Sequence, residues 1–229
     1  MTILLAYGGH AYADAWHDFA GVADALAHVL EAYGAVEVVD EVERALLSLQ
    51  HDAPDLLVLC SGVGPDGGPS REARGTLVHY VEGGGRLLAL HSAATSFPGW
   101  HDWERLLGGR WVRDVSFHPP FGPGTVDVAG APQRSFEIED EFYADLRVGD
   151  VEVLATHEGR PIAWAHAVSG HGVRANGSGG RVVYDALGHT AATYANAGRR
   201  ALLHDELVWL GLRPRSLDAG EAAVDRVKE

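Results

Sequence analysis

The sequence predicts an α/β fold: a three-layer sandwich on a mainly parallel sheet, with a β-rich insertion in its second half. Three observations carry this. From Thr2 to Leu90, short apolar runs alternate with segments of helical period, the mark of parallel strands joined by crossover helices. Beyond Trp111 short strand-like runs follow one another without long helices between them. From Gly180 to Leu210 a buried-strand pattern and then a helical register return.

TILLAY (Thr2 to Tyr7), closed by Gly8-Gly9, reads as a first buried strand. Asp18 to Tyr33 follows as a helix, with Phe19, Val22, Ala23, Leu26, Val29 and Leu30 in register and Gly34 at its end. Val36 to Val39 is a second strand, Glu41 to Gln50 a short helix, and DLLVLC (Asp55 to Cys60) a third strand. Its unbroken apolar character predicts cover on both faces. Arg71 to Glu82 is helical, and RLLAL (Arg86 to Leu90) is a fourth strand running into His91. The insertion offers strands at Gly124 to Val128, Ser135 to Ile138, Val151 to Thr156 and Pro161 to Val168. Gly180 to Leu187 resumes the buried pattern, and Arg199 to Leu210 closes the fold as a helix. The reading is one domain over residues 1–213 and a charged, frayed tail over 214–229. The glycine-rich stretch Gly170 to Gly180 reads as a surface loop, with a lid as the alternative.

Composition narrows the function. Thirty-two acidic residues against 18 basic ones give a formal charge of −14, which argues against a nucleic-acid partner. The only lysine is Lys228, so Schiff-base and P-loop chemistry have almost nowhere to sit. The single cysteine, Cys60, excludes an internal disulfide and multi-cysteine metal sites. No stretch reaches the roughly 20 apolar residues of a membrane span, so no membrane partner and a cytoplasmic location are expected. The helical faces of such sheets often pair between copies, which makes a homodimer an expectation.

In a parallel sheet ligands bind beside the carboxyl ends of the strands. Four predicted strand ends carry Gly8-Gly9-His10, Ser61-Gly62, His91-Ser92 and Gly188-His189, and these should share one edge. Cys60 follows apolar neighbours and reads as a buried, unreactive thiol.

Several motifs, in order, resemble the ThuA-like (trehalose utilisation) family, whose fold is similar to that of class I glutamine amidotransferases and flavodoxin-like proteins. They are His17-Asp18-Phe19, GGGRLLALHSA (Gly83 to Ala93), LLGGRW (Leu106 to Trp111), His118-Pro119, EDEFY (Glu139 to Tyr143), PIAW (Pro161 to Trp164) and GRVVYDALGH (Gly180 to His189). The resemblance implies carbohydrate use, on a disaccharide such as trehalose or a keto derivative. It also places His91 where amidotransferases of this fold keep a cysteine nucleophile, which argues against glutamine hydrolysis.

Three chemistries remain open for these residues. Ser92 as a nucleophile, with His189 and Asp140 or Glu141 as a relay, lacks the G-x-S-x-G elbow. His91, His118 and His189 offer imidazoles to a divalent ion such as zinc, with Glu141 as general base. Without metal, Glu141, His189 and His91 are the catalytic candidates, and His17, Ser92, His118, Asp140 and Trp164 the substrate-binding ones. Trp164, Trp100 and Tyr143 offer flat faces to a sugar. A non-catalytic sugar-binding or regulatory protein is the rival from another class.

Overall fold

The computed structural model describes residues 1–130, 132, 134–169 and 179–215. The tail beyond Arg215 and the glycine-rich stretch 170–178, read from sequence as frayed and as a surface loop, lie outside the described residues. β1 (Thr2–Tyr7) is buried from Ile3 to Ala6. α1 (Phe19–Leu30) starts where the Asp18 carboxylate accepts from the Gly21 amide, and it buries Phe19, Val22, Ala23, Leu26 and Leu30. β2 (Ala35–Val39), α2 (Val42–Ser48), β3 (Leu56–Cys60), α3 (Arg71–Glu82) and β4 (Arg86–Leu90) follow within a few residues of their expected places. β4 runs into a 3-10 turn, His91–Thr95.

α4 (His101–Leu107) was not expected, because seven residues are too few turns to show a periodicity. It ends at Gly108, whose φ of 76° is open to glycine at little cost. The rest comprises β5 (Gly109–Arg110), β6 (Gly122–Val128), β7 (Arg134–Asp140), β8 (Arg147–Val148), β9 (Glu152–His157), β10 (Arg160–Val168), β11 (Gly180–Asp185), a second 3-10 turn (Ala191–Ala195) and α5 (Ala197–Trp209).

Among the described residues nine strands form one sheet in the order β2-β1-β3-β4-β11-β10-β9-β6-β7. β2, β1, β3, β4 and β11 are parallel, and the remaining pairs are antiparallel. The β-rich insertion therefore extends the main sheet.

Side chains alternate between two cores. Ile3, Leu5, Leu56, Val58, Leu88, Leu90 and Val183 pack with residues of α1 and α5. Leu4, Leu57, Leu59, Leu87, Ala89, Val182 and Tyr184 pack with residues of α2, α3 and α4. That two-sided cover is why β3 is apolar at every position, each such leucine contributing about 1.5–3 kcal/mol.

Register fixes the functional edge. Tyr7 pairs with Cys60, Cys60 with Leu90, and Leu90 with Asp185. The chain thus leaves four parallel strands in one row, at Gly8, Ser61, His91 and Ala186. The far end of the sheet curls round to meet that row, since Asp140 at the end of β7 accepts from the amides of Gly188 and His189.

Candidate functional site

Where β4 ends, His91 adopts a φ of 47°, a left-handed conformation that a non-glycine residue rarely takes. Strain of this kind persists where surrounding contacts hold it, and it concentrates at functional sites. Here the holds are visible. His91 Nδ1 donates to the Ala186 carbonyl at 2.6 Å, and the Tyr184 hydroxyl donates to the His91 carbonyl at 2.8 Å. The imidazole is thereby fixed with Nε2 facing the middle of the strand-end row.

Three other groups meet that nitrogen. His17 Nε2 lies 3.1 Å away, His189 Nδ1 3.3 Å and Glu141 Oε2 3.6 Å. His189 Nδ1 is also 3.2 Å from Glu141 Oε2. One ligand-capable atom from each of His17, His91, Glu141 and His189 falls within 4.8 Å of the others. Asp14 holds His17 from behind, with Nδ1 2.8 Å from each carboxylate oxygen. The Tyr143 hydroxyl stands 3.3 Å from His91 Nε2.

His17 and Glu141 of the cluster, with Tyr143, line a cleft of about 780 Å³, whose lining also includes Asp14, Ser92, Arg110, Trp111, Arg113 and His118. A larger hollow of about 980 Å³, between α2 and α3, contains none of these groups. Convergent polar groups make the smaller cleft the candidate site.

The family model described as ThuA, trehalose utilisation, matches residues 9–210. The chain belongs to the ThuA family. Among solved structures, a ThuA-like protein from Parabacteroides merdae ATCC 43184 superposes with a TM-score of 0.71 at 17% identity, covering 92% of this chain and 89% of that one. A ThuA-like protein from Bacteroides uniformis ATCC 8492 gives 0.67 at 18%, covering 92% and 91%. A β-galactosidase from Bacillus circulans sp. alkalophilus gives 0.56 at 13%, covering 93% of this chain but 31% of its own. At these identities the likeness is one of fold. No curated protein matches this ThuA-family chain.

Electrostatics sort the roles in the ThuA-family site. Burial works to raise the Glu141 carboxyl, but the hydrogen-bond and charge contributions of His91, His189 and His118 outweigh it and hold the group below the ordinary carboxylate range. A group so held is an ionised base or ligand at neutral pH rather than an acid. Burial lowers His17, as does neighbouring His91, against the pull of Asp14. Burial also lowers His189, against the pull of Glu141. Burial pushes the Tyr143 hydroxyl well up, assisted by Glu141 and Asp140, so it remains a proton donor.

The expected site residues separate into three groups. His91, His189, Glu141 and His17 meet at one point, of which the strand-end argument had placed only His91 and His189 on one edge. His118 does not join them. Its Nδ1 lies 2.9 Å from the Pro119 carbonyl and 3.6 Å from Glu141 Oε1, so of the expected trio His91, His118 and His189 the fold brings His91 and His189 together with His17 and leaves His118 outside that group. Ser92 is buried and borders the cleft, while His91 and His189 pair with each other and with Glu141 rather than with it.

Two residues expected to touch substrate sit elsewhere. Trp164 is 0% exposed, packs against Tyr184 and donates from Nε1 to the Leu107 carbonyl, because β10 lies inside the sheet and is covered by α4. Asp140 is also fully buried. Its carboxylate accepts from the amides of Glu141, Gly188 and His189 and from the Thr193 hydroxyl, so it positions the site. Trp100 is buried beside Trp103, and the exposed aromatics of the cleft are Trp16 and the half-buried Trp111. Asp14, unremarked in the sequence, is betrayed only by its position three residues before His17. Arg110 and Arg113 carry no comparable signal.

Proposed function

We propose that the cleft takes a carbohydrate, a disaccharide of the trehalose type or its keto derivative, and that Glu141 moves a proton on it. One observation supports this best. Glu141, 14% exposed at its side chain, stands in the cleft wall with Oε2 toward His91 and His189 and Oε1 toward His118. Oε1 is therefore the oxygen directed away from the buried cluster, on the side of His118. Trp111 and Trp16 supply flat apolar faces, and Arg110, Arg113 and Asp14 the donors and acceptors, that a sugar ring requires. The carbohydrate class rests on membership of a trehalose-utilisation family. The general-base role rests on the geometry, and the depressed carboxyl keeps the group ionised.

The test is a turnover screen on trehalose, maltose, sucrose and their 3-keto forms, comparing the native chain with Glu141→Gln. A base of this kind contributes about 10²–10⁴-fold, so kcat should fall by that factor on the active substrate with the fold unchanged by circular dichroism. Equal product formation by both proteins overturns the assignment. Tight binding of a sugar with no turnover of any leaves a binding protein in its place.

A further inference from the structure

The hydrogen-bond partners of the buried histidines fix where their protons are. A carbonyl oxygen can only accept, so His91 Nδ1, 2.6 Å from Ala186 O, carries the hydrogen. His17 Nδ1, 2.8 Å from both oxygens of Asp14, likewise donates. In neutral rings both Nε2 atoms then present lone pairs, and these face each other at 3.1 Å. His189 Nδ1 and Glu141 Oε2 point at the same spot. A proton shared between His17 and His91, or a bond from Tyr143 to His91, satisfies one pair of these atoms and leaves the others. A divalent cation satisfies all four.

We infer that His17, His91, His189 and Glu141 form a binding site for a transition-metal ion of the zinc type. The spacing fits. Two nitrogens each about 2.0–2.1 Å from a tetrahedral ion stand about 3.3–3.4 Å apart. His91 Nε2 lies 3.1 Å from His17 Nε2, 3.3 Å from His189 Nδ1 and 3.6 Å from Glu141 Oε2, His189 Nδ1 lies 3.2 Å from Glu141 Oε2, and all four ligand atoms fall within 4.8 Å of one another. Three imidazoles with one carboxylate suit zinc or its first-row neighbours rather than magnesium or calcium. The supports behind the ligands are those of a metal centre. Asp14 holds His17 by Nδ1, and the Ala186 carbonyl holds His91, fixing each ring's tautomer and aim. Asp140 fixes the backbone that carries His189. His17 and Glu141 also line the cleft, so the ion would border the space assigned to the sugar.

The inference deepens the proposed reaction centre, and it rests on that reading only for what the ion does to a substrate. Binding is tested without any sugar. Tag-free chain, stripped with a chelator and titrated with Zn²⁺ and with Co²⁺ alone, should take up one equivalent, with the visible absorption of tetrahedral Co²⁺. His17→Gln and His91→Asn should lose that equivalent, while His118→Ala keeps it. Asp14→Asn should weaken binding by about ten- to a hundred-fold with the stoichiometry unchanged. Circular dichroism on each variant separates a lost ligand from a lost fold, and Asp14→Asn, which spares all four ligands, covers the case where His91→Asn does not fold. Failure to bind Zn²⁺ or Co²⁺ at micromolar concentration, or uptake unchanged in both His17→Gln and Asp14→Asn, overturns the site. Turnover of a sugar at full rate after stripping would also overturn the catalytic role of the ion while sparing the proposed function. One bound equivalent with no sugar turned over sustains the metal site and defeats the proposed reaction.

Discussion

The carboxylate of Asp140 accepts from the backbone amide of His189 at 3.1 Å, and so ties the end of an antiparallel strand to the loop after a parallel one. Gly188 makes this possible. Its φ of 124° lets its own amide reach Asp140 as well, at 2.9 Å, and a Cβ there would meet the Tyr194 hydroxyl at 2.7 Å. Asp140→Ala leaves buried donors unpaired at about 1–3 kcal/mol each and frees His189 from its place. The expected outcome is a clear drop in the urea midpoint together with a fall in activity. A variant as stable and active as the native chain would show that the loop is held by something else.

The two tryptophans of the family motifs should behave oppositely. Trp164 is sealed in the core, and Trp164→Ala should cost about 3–5 kcal/mol of stability. The volume-sparing Trp164→Phe should leave KM for the sugar unchanged. Trp111 lines the cleft, and its substitution by alanine should raise KM more than it lowers the melting temperature. Steady-state kinetics beside thermal unfolding of the three variants separates the two roles.

Beneath the site, Arg199 is fully buried between Asp185, at 3.0 Å, and Glu206, at 3.5 Å. Burial, reinforced by Asp185, raises the Glu206 carboxyl well above its ordinary value. The sign follows. A folded-state value above the unfolded one stabilises fully below the unfolded pKa, and that stabilisation is lost as pH rises toward the folded one. Glu206→Gln removes this dependence, so its stability relative to the native chain should improve between about pH 5 and about pH 8. Removing the cation instead, as in Arg199→Met, strands two buried acids and should cost about 3–5 kcal/mol. Denaturant titrations at the two pH values check both statements.

Cys60 is 3% exposed, and burial pushes its thiol up to about 12, against a small opposing pull from Arg199. A thiol so held is neither nucleophile nor redox sensor at neutral pH. A thiol reagent should fail to label the native chain and should react fully once it is unfolded. Cys60→Ala should keep turnover intact.

Period and composition were enough for much of this. The parallel half was legible because strands covered on both faces must be apolar throughout, as Leu56–Cys60 is, and because helices between them show their stripe, as Phe19–Leu30 does. That His91 and His189 lie on one edge followed from where those runs stop. α4 and the two 3-10 turns were illegible because single turns leave no periodic trace.

Which residues of the candidate site converge depends on distance through space. Nothing in spacing distinguishes His17, 74 residues from His91 yet 3.1 Å from it, from His118, which bonds its own neighbour's carbonyl. The curl of β7 back onto the strand-end row brings Glu141 to the cluster and hides Asp140 behind it, and that curl is a property of the packed sheet. Local sequence determines which residues stand at strand ends, because backbone preference and side-chain alternation act over a few residues. Which of those ends meet, and whether a tryptophan faces a sugar or the core, depends on contacts between segments that only the closed fold brings together.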